Sequence, residues 1–167
     1  MNSPYNNLSK NQQDFLDQVK KQCDNYNVIL HLENSQGIEF KNTGIMCNGY
    51  FVDSPHPKLG VATNKDIKDW FLVLLHEYCH MEQWLEKSPY WTNNKMEKGE
   101  ASDLIDSWMN NEIEIASKQL EELFNIVILL EADCEARAIQ NINNFQLDIR
   151  QKDLYELFKR SGCGRLY

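Results

Sequence analysis

Three residues within one pentapeptide carry the chemistry that this sequence suggests. His76, Glu77 and His80 lie in the segment His-Glu-Tyr-Cys-His, which fits the pattern H-E-x-x-H. Residues four apart on an α-helix lie one above the other on the same face, so both imidazoles can bind one metal ion. Glu77 lies beside them and can act as a base on a water molecule. The pentapeptide therefore predicts half of a hydrolytic zinc site, and such a site requires a third ligand.

The third ligand is expected on a second apolar helix. Glu131 lies about 40° from Val127 on the helical wheel, and Glu135 lies about 80° from it. A carboxylate on a buried face needs a cation or several donors, because leaving it uncompensated costs several kcal/mol. Glu131 is the predicted ligand, with Glu135 left open as the alternative. The buried face is marked by an apolar stripe of Leu120, Leu123, Val127, Leu130, Cys134 and Ala138.

The two segments together resemble the glutamate-ligand zincins, in which H-E-x-x-H on one helix is followed by E-x-x-x-[DN]-x-x-A on a later one. The second segment here is Glu131-Ala132-Asp133-Cys134-Glu135-Ala136-Arg137-Ala138. The chain is small, and a predicted strand comes just before the H-E-x-x-H helix. These two features make residues 44–140 most similar to compact ImmA/IrrE-type metallopeptidases.

This resemblance implies a zinc-dependent endopeptidase. His76, His80 and Glu131 would hold one zinc ion, and Glu77 would serve as general base and then general acid on a metal-activated water. Glu135 stands where those enzymes carry Asp or Asn, and it is expected to accept the free N–H of His76 or His80.

The substrate is expected to be a protein or peptide that pairs with a strand of the sheet. The predicted strand is Leu59, Gly60, Val61 and Ala62, and it must then be an exposed edge. A second donor to the oxyanion would also be needed, and the sequence does not select among the available residues, which are Tyr50, His56, Tyr90 and Tyr155.

The elements that must position these residues follow from the hydrophobic pattern. The H-E-x-x-H helix carries apolar side chains on both faces, so it should lie in the interior between the sheet and the second helical region. The pattern predicts a single α+β domain over residues 1–167, with a small, mostly antiparallel sheet packed on this helix. The resemblance implies that this domain is zincin-like. Its parts are an N-terminal helix in 1–27, the sheet in 28–63, the H-E-x-x-H helix in 64–87, a helical region in 100–143 and a C-terminal helix in 148–160.

Local signals mark the ends of these helices. Ser9 is a predicted cap of the first helix, and Thr63 or Asn64 of the H-E-x-x-H helix. A break is expected near Asn110-Asn111. The C-terminal helix should point Leu154, Leu157 and Phe158 inward.

Charge and composition exclude some classes of partner. The net charge of -8 and a pI near 5.0 argue against nucleic acid and anionic membranes, which basic proteins bind. The N-terminus carries no secretion signal, and the longest apolar run, Trp70–Leu75, is too short to cross a bilayer. A cytoplasmic protein is expected, with reduced thiols at its five cysteines. The oligomeric state is not indicated.

One alternative to the peptidase is a domain without catalytic activity. The chain could be a zincin-like domain that binds metal or a partner protein without turnover, since a fold does not determine a function.

Cys79 and Cys134 are expected to be small buried core residues. A di-iron centre is disfavoured because it needs a second Glu-x-x-His, which the sequence lacks.

Overall fold

The protein combines helices with a small sheet, as predicted for an α+β fold. The computed structural model describes residues 7–40, 44–53, 55–97, 99–150, 152–154 and 156. Its helices are α1 (Lys10–Asn25), α2 (Ile67–Leu85), α3 (Pro89–Asn94), α4 (Ala101–Met109) and α5 (Ser117–Phe145). Its strands are β1 (Ile29–Glu33), β2 (Ile38–Glu39), β3 (Met46–Cys47), β4 (Gly49–Val52), β5 (Lys58–Ala62), β6 (Lys95–Met96) and β7 (Gly99–Glu100).

The largest sheet has the strand order β1-β5-β4. β5 pairs antiparallel with β4 but parallel with β1. The expectation of a mostly antiparallel sheet therefore holds for β4–β5 and for the small pairs β2–β3 and β6–β7, but not for β1–β5. A parallel pair needs a long crossover, and the chain supplies one by running through β2, β3 and β4 before it enters β5.

Helix α1 begins as the sequence predicts. The Ser9 hydroxyl accepts a hydrogen bond from the backbone N–H of Gln12, and the Gln12 side chain accepts one from the backbone N–H of Ser9. This reciprocal cap satisfies two backbone donors that the first helical turn leaves unpaired. One face of α1 is buried in the core, and it comprises Phe15, Leu16, Val19 and Cys23.

Helix α2 is the interior element of the fold. It packs against β4 and β5 on one side and against α5 and α3 on another. Trp70, Phe71 and Leu75 of α2 are fully buried in the core, and burying a large apolar side chain stabilises the fold by about 1.5–3 kcal/mol. The predicted two-sided burial of this helix is confirmed. The predicted cap is wrong, because α2 begins at Ile67 with Asp66, not Thr63 or Asn64, at the cap position and no side-chain hydrogen bond there.

A short helix that the sequence did not predict follows α2. Ser88 lies three residues after the end of α2 and caps α3, because its hydroxyl accepts a hydrogen bond from the backbone N–H of Tyr90. Pro89 occupies the first turn of α3, where its missing N–H costs nothing. The β6–β7 pair comes next. The segment between α2 and α5 is folded onto these two helices, because α3 packs against both of them.

The second helical region divides as expected. α4 ends before Asn110, and Asn111 adopts a left-handed backbone conformation with φ of 58° before α5 begins. α5 packs on α2, α3 and α4. The expected C-terminal helix begins later than residue 148, since residues 148–150 are not helical; residues 152–154 and 156 are, with Leu154 buried. Leu157 and Phe158 lie outside the described residues.

In the part of the chain that the structure describes, no helix combines the length and apolar character needed to cross a membrane.

Candidate metal centre

Two neighbouring helices bring three predicted ligands together. Nε2 of His76 on α2 lies 3.7 Å from Oε2 of Glu131 on α5, and Nε2 of His80 lies 3.6 Å from Oε1 of the same carboxylate. The two imidazole rings are 4.6 Å apart between centroids. Both histidines are buried, at 8% and 9% exposure. The three side chains and the thiol of Cys134 form a group whose ligand atoms lie within 4.8 Å of one another.

These separations fit a shared cation better than direct hydrogen bonds. A hydrogen bond from nitrogen to oxygen spans about 2.7–3.2 Å, which is shorter than either contact. Two ligands at about 2.0–2.1 Å from one tetrahedral zinc ion lie about 3.4 Å apart. Oε2 of Glu131 is buried and accepts no hydrogen bond from the described residues. Two imidazoles and a carboxylate with an unsatisfied buried oxygen are a donor set that suits a divalent metal ion.

His80 is oriented by Gln83, one turn further along α2. Nδ1 of His80 lies 2.8 Å from Oε1 of Gln83. Nε2 of Gln83 donates to the carbonyl oxygen of Leu130 at 2.9 Å and to Oδ2 of Asp133 at 2.8 Å. The same Asp133 oxygen accepts from Nε of Arg137 at 2.8 Å. The network thus joins a candidate ligand on α2 to the turn of α5 that carries Glu131.

His76 is oriented by Cys134 of α5. Sγ of Cys134 lies 3.4 Å from Nδ1 of His76 and 3.5 Å from its carbonyl oxygen. A thiol proton donated to the carbonyl leaves the sulfur to accept the Nδ1–H of the imidazole. Burial, with the neighbouring Cys79, raises the pKa of the Cys134 thiol well above its ordinary value. Burial, together with the nearby His80, lowers the pKa of His76 well below its ordinary value, so both groups are neutral near pH 7.

Glu77 lies between the metal centre and the edge strand β4. The backbone N–H of Phe51 in β4 donates to its carboxylate. Burial raises the pKa of Glu77 to about 7; the Glu131 charge acts in the same direction, while His80 and the Phe51 N–H oppose the shift. A carboxylate with this pKa can take up and release a proton at neutral pH. The strand approaches α2 closely at Gly49, where a Cβ atom would lie 3.3 Å from Cγ of Glu77.

The predicted substrate strand is not the exposed edge that the prediction requires. Leu59, Gly60, Val61 and Ala62 belong to β5, which is the central strand and is paired on both sides. All four residues are buried, so no substrate can add to them. The strand that ends the sheet next to α2 is β4, and its Phe51 N–H already faces Glu77.

The predicted role of Glu135 is also not supported by the geometry. Glu131, not Glu135, belongs to the group of ligand atoms. The Nδ1 atoms of His76 and His80 face Cys134 and Gln83, so the position expected for Glu135 is taken by those two side chains. A signal for Gln83 existed in the sequence, because it lies seven residues after His76 and so shares its helix face.

Aromatic side chains border the centre on the side of β4. Trp91 lies 6.0 Å from His80 and 5.5 Å from Phe51 between ring centroids. Its indole N–H donates to Oδ2 of Asp53 at 3.0 Å, and Lys95 pairs with Oδ1 of the same carboxylate at 2.8 Å. Trp91 is therefore held in place as a wall beside the candidate ligands. A cleft of about 420 Å³ lies against this wall, lined by Tyr26, Asp53, Trp84, Leu85, Lys87, Trp91, Thr92 and Lys95.

Tyr50 and Tyr155 are two of the four residues predicted as possible hydrogen-bond donors to an oxyanion. Tyr50 packs against Phe40 and Gly60, in a small cluster with Ile38 and Val52, and so lies on the face of β4 turned away from α2. Tyr155 lies outside the described residues.

No protein-family model, curated protein or solved structure matches this chain.

Proposed function

We propose that the protein is a zinc-dependent metallopeptidase of the glutamate-ligand zincin type. The observation that supports this most is the position of Glu77, which lies between a group of metal-ligand atoms and the edge strand of the sheet. A site that served only to hold two helices together would have no need of a carboxylate between the ligands and an edge strand.

The ion would be held by His76 and His80 of α2 and by Glu131 of α5. Three protein ligands leave a tetrahedral ion one open position, as in catalytic rather than structural zinc sites. A bound zinc ion would supply Lewis acidity and lower the pKa of a water molecule towards about 7.

Glu77 would perform the proton transfers. Its carboxylate would accept a proton from the attacking water and would then donate that proton to the amine that leaves. The Phe51 N–H and the packing of Gly49 hold the carboxylate in place before substrate arrives. Both transfers can therefore be made by one side chain without a large movement.

The substrate would be an extended segment of a protein or peptide added to the outer edge of β4. Main-chain hydrogen bonds to an edge strand give affinity without demanding one sequence. Because β4 lies against α2, a segment bound there runs beside Glu77. The aromatic wall of Trp91 and Phe51 would border its side chains.

The proposal is tested with peptides from a digested proteome as substrate mixture, with new termini identified by mass spectrometry. Zinc-loaded wild type should cleave the mixture, and chelated wild type should not. Glu77→Gln should bind zinc as the wild type does but lose about 10²–10⁴-fold in rate, because it removes the general base. The matched control is Glu82→Gln, which changes a carboxylate of the same helix that accepts a hydrogen bond from Asn141 instead of facing the ligands. Equal cleavage by Glu77→Gln and Glu82→Gln would refute the mechanism.

A second candidate is a non-catalytic metal-binding domain, and the position of Cys134 favours it. If its thiolate joined the two histidines and Glu131, four protein ligands would close the site, as in structural zinc centres. X-ray absorption of the zinc-loaded protein separates the two candidates. A Zn–S distance of about 2.3 Å would support the closed site, and a shell of nitrogen and oxygen alone at about 2.0–2.2 Å would support the peptidase.

A further inference from the structure

The buried side-chain amide of Gln83 joins the two helices of the metal centre, α2 and α5, next to the candidate ligand His80. It is 0% exposed. Its three contacts are Nδ1 of His80, the carbonyl oxygen of Leu130 and the carboxylate of Asp133. The peptidase proposal gives this residue no part in the chemistry.

The partners determine which way the amide faces. A backbone carbonyl oxygen accepts hydrogen bonds and cannot donate them, and the Asp133 carboxylate is bound to Arg137, which requires it to be an acceptor. The NH₂ group of Gln83 must therefore face Leu130 and Asp133. Its carbonyl oxygen is left facing His80, and rotating the amide by 180° would break both donated bonds.

The tautomer of His80 follows from this orientation. Oε1 of Gln83 can only accept, so Nδ1 of His80, at 2.8 Å, must carry the proton. In the neutral ring the lone pair then lies on Nε2, the atom that faces Glu131 at 3.6 Å. A metal ion binds the nitrogen with the free lone pair, so the network presents the correct atom in advance.

We infer that Gln83 is a positioning residue that selects the Nδ1–H tautomer of His80 and so presents Nε2 to the metal ion, with Asp133 and Arg137 holding the amide in its orientation. The inference rests on the metal site of the proposed function. It goes beyond it by assigning a role to three residues that contact neither the metal nor the substrate. Arg137 is itself held in place, because it also pairs with the Glu86 carboxylate at 2.7 Å.

The chain offers a matched pair of variants. Gln83→Met has nearly the same shape but no amide; Asp133 keeps Arg137 as partner, so no charge is left buried alone. Asn141→Leu removes a second amide that bridges α5 and α2, which donates to Glu82 at 2.9 Å and approaches Cys79 but contacts no imidazole. Both variants lose an inter-helix hydrogen bond, and only the first should affect His80.

The first measurement uses metal-free protein, with the histidine tautomers read from nitrogen chemical shifts in NMR spectra. Wild type and Asn141→Leu should show His80 protonated on Nδ1, and Gln83→Met should lose this preference. The second measurement is zinc affinity by competition with a chelating dye. Gln83→Met should bind zinc about 10–100-fold more weakly than wild type, while Asn141→Leu should stay within about threefold, since losing an orienting partner has this effect at other zinc sites.

The wild-type tautomer decides the inference even if the Gln83 variant does not fold. A metal-free wild type with His80 protonated on Nε2 would overturn it, as would Gln83→Met with the zinc affinity of Asn141→Leu. A wild type that binds no zinc would instead refute the proposed function, while the tautomer comparison on metal-free protein would still support or overturn the role of Gln83.

Discussion

Replacing Gly49 with alanine tests how closely the edge strand β4 fits against α2. A Cβ atom at Gly49 would lie 2.5 Å from Cγ1 of Val73, 3.0 Å from the carbonyl oxygen of Gly60 and 3.3 Å from Cγ of Glu77. Non-bonded carbon atoms do not approach to 2.5 Å, so β4 or the Val73 side chain must move. Val73 is buried, and its branched side chain has one strongly preferred rotamer on a helix. Overpacking of this kind costs about 1–3 kcal/mol of the free energy of unfolding.

The assay is urea unfolding in chelator of wild type, Gly49→Ala, Val73→Ala and the double variant. Val73→Ala removes the atom that the new methyl group would strike. The double variant should therefore be more stable than the sum of the two single losses predicts, by about 0.5–3 kcal/mol. The control is Gly37→Ala, whose Cβ would meet the flexible end of Met46 at 3.2 Å, and it should change stability by less than about 0.5 kcal/mol.

Additive losses in the double variant would refute the packing argument. So would a Gly49→Ala protein as stable as Gly37→Ala, since both substitutions reduce the entropy of the unfolded chain alike.

Three further predictions concern the metal centre. In chelator, the free energy of unfolding of wild type should fall by about 2 kcal/mol more than that of Glu77→Gln between pH 5 and pH 8, as measured by urea titration. The reason is that folding raises the pKa of Glu77 from 4.5 to about 7, so the folded state holds a proton that the unfolded chain has released, and this advantage is lost as pH rises through that window. Equal slopes would contradict it. Cys134→Ala should weaken zinc binding about tenfold in a dye-competition assay, because His76 loses the partner of its Nδ1; unchanged affinity would show that the thiol does not orient the ring. Zinc at about 100 times its Kd should stabilise wild type and Glu135→Ala by about 2.7 kcal/mol in thermal or urea unfolding but leave Glu131→Ala unaffected, and stabilisation of all three would exclude Glu131 as a ligand.

Local signals in the sequence were enough to predict the elements that are determined by neighbouring residues. The cap at Ser9 depends on residues three apart, and the burial of α2 follows from apolar side chains on both of its faces. The meeting of His76, His80 and Glu131 could be predicted because two of them share one helix face and the third edges into a buried face. Each of these inferences needs only the helical period.

The strand order could not be predicted in the same way, because pairing joins residues far apart in sequence. Substrate pairing with β5 requires this strand to be an exposed edge, yet β5 lies between β1 and β4. One signal was available: Leu59–Ala62 is a continuous apolar run, which is typical of a strand covered on both faces.

The partners of the imidazoles were missed for a different reason. A helical wheel gives the direction of a side chain on its own helix, but not the angle and depth at which a second helix packs against it. That packing places Cys134 and Gln83, rather than Glu135, beside the two rings. The predicted C-terminal part beyond residue 156 lies outside the described residues.

The enclosure of α2 has a consequence for the rate at which the site can open. A helix covered by a sheet on one side and by other helices on another exchanges its amide hydrogens with solvent only when the whole domain unfolds, whereas a helix at the surface opens locally at a much lower free energy. His76 and His80 belong to the first kind of helix, and Glu131 lies on a helix with exposed residues such as Leu129. Local opening of the site should therefore come from movement of α5. The two imidazoles should keep their relative positions as long as the protein stays folded.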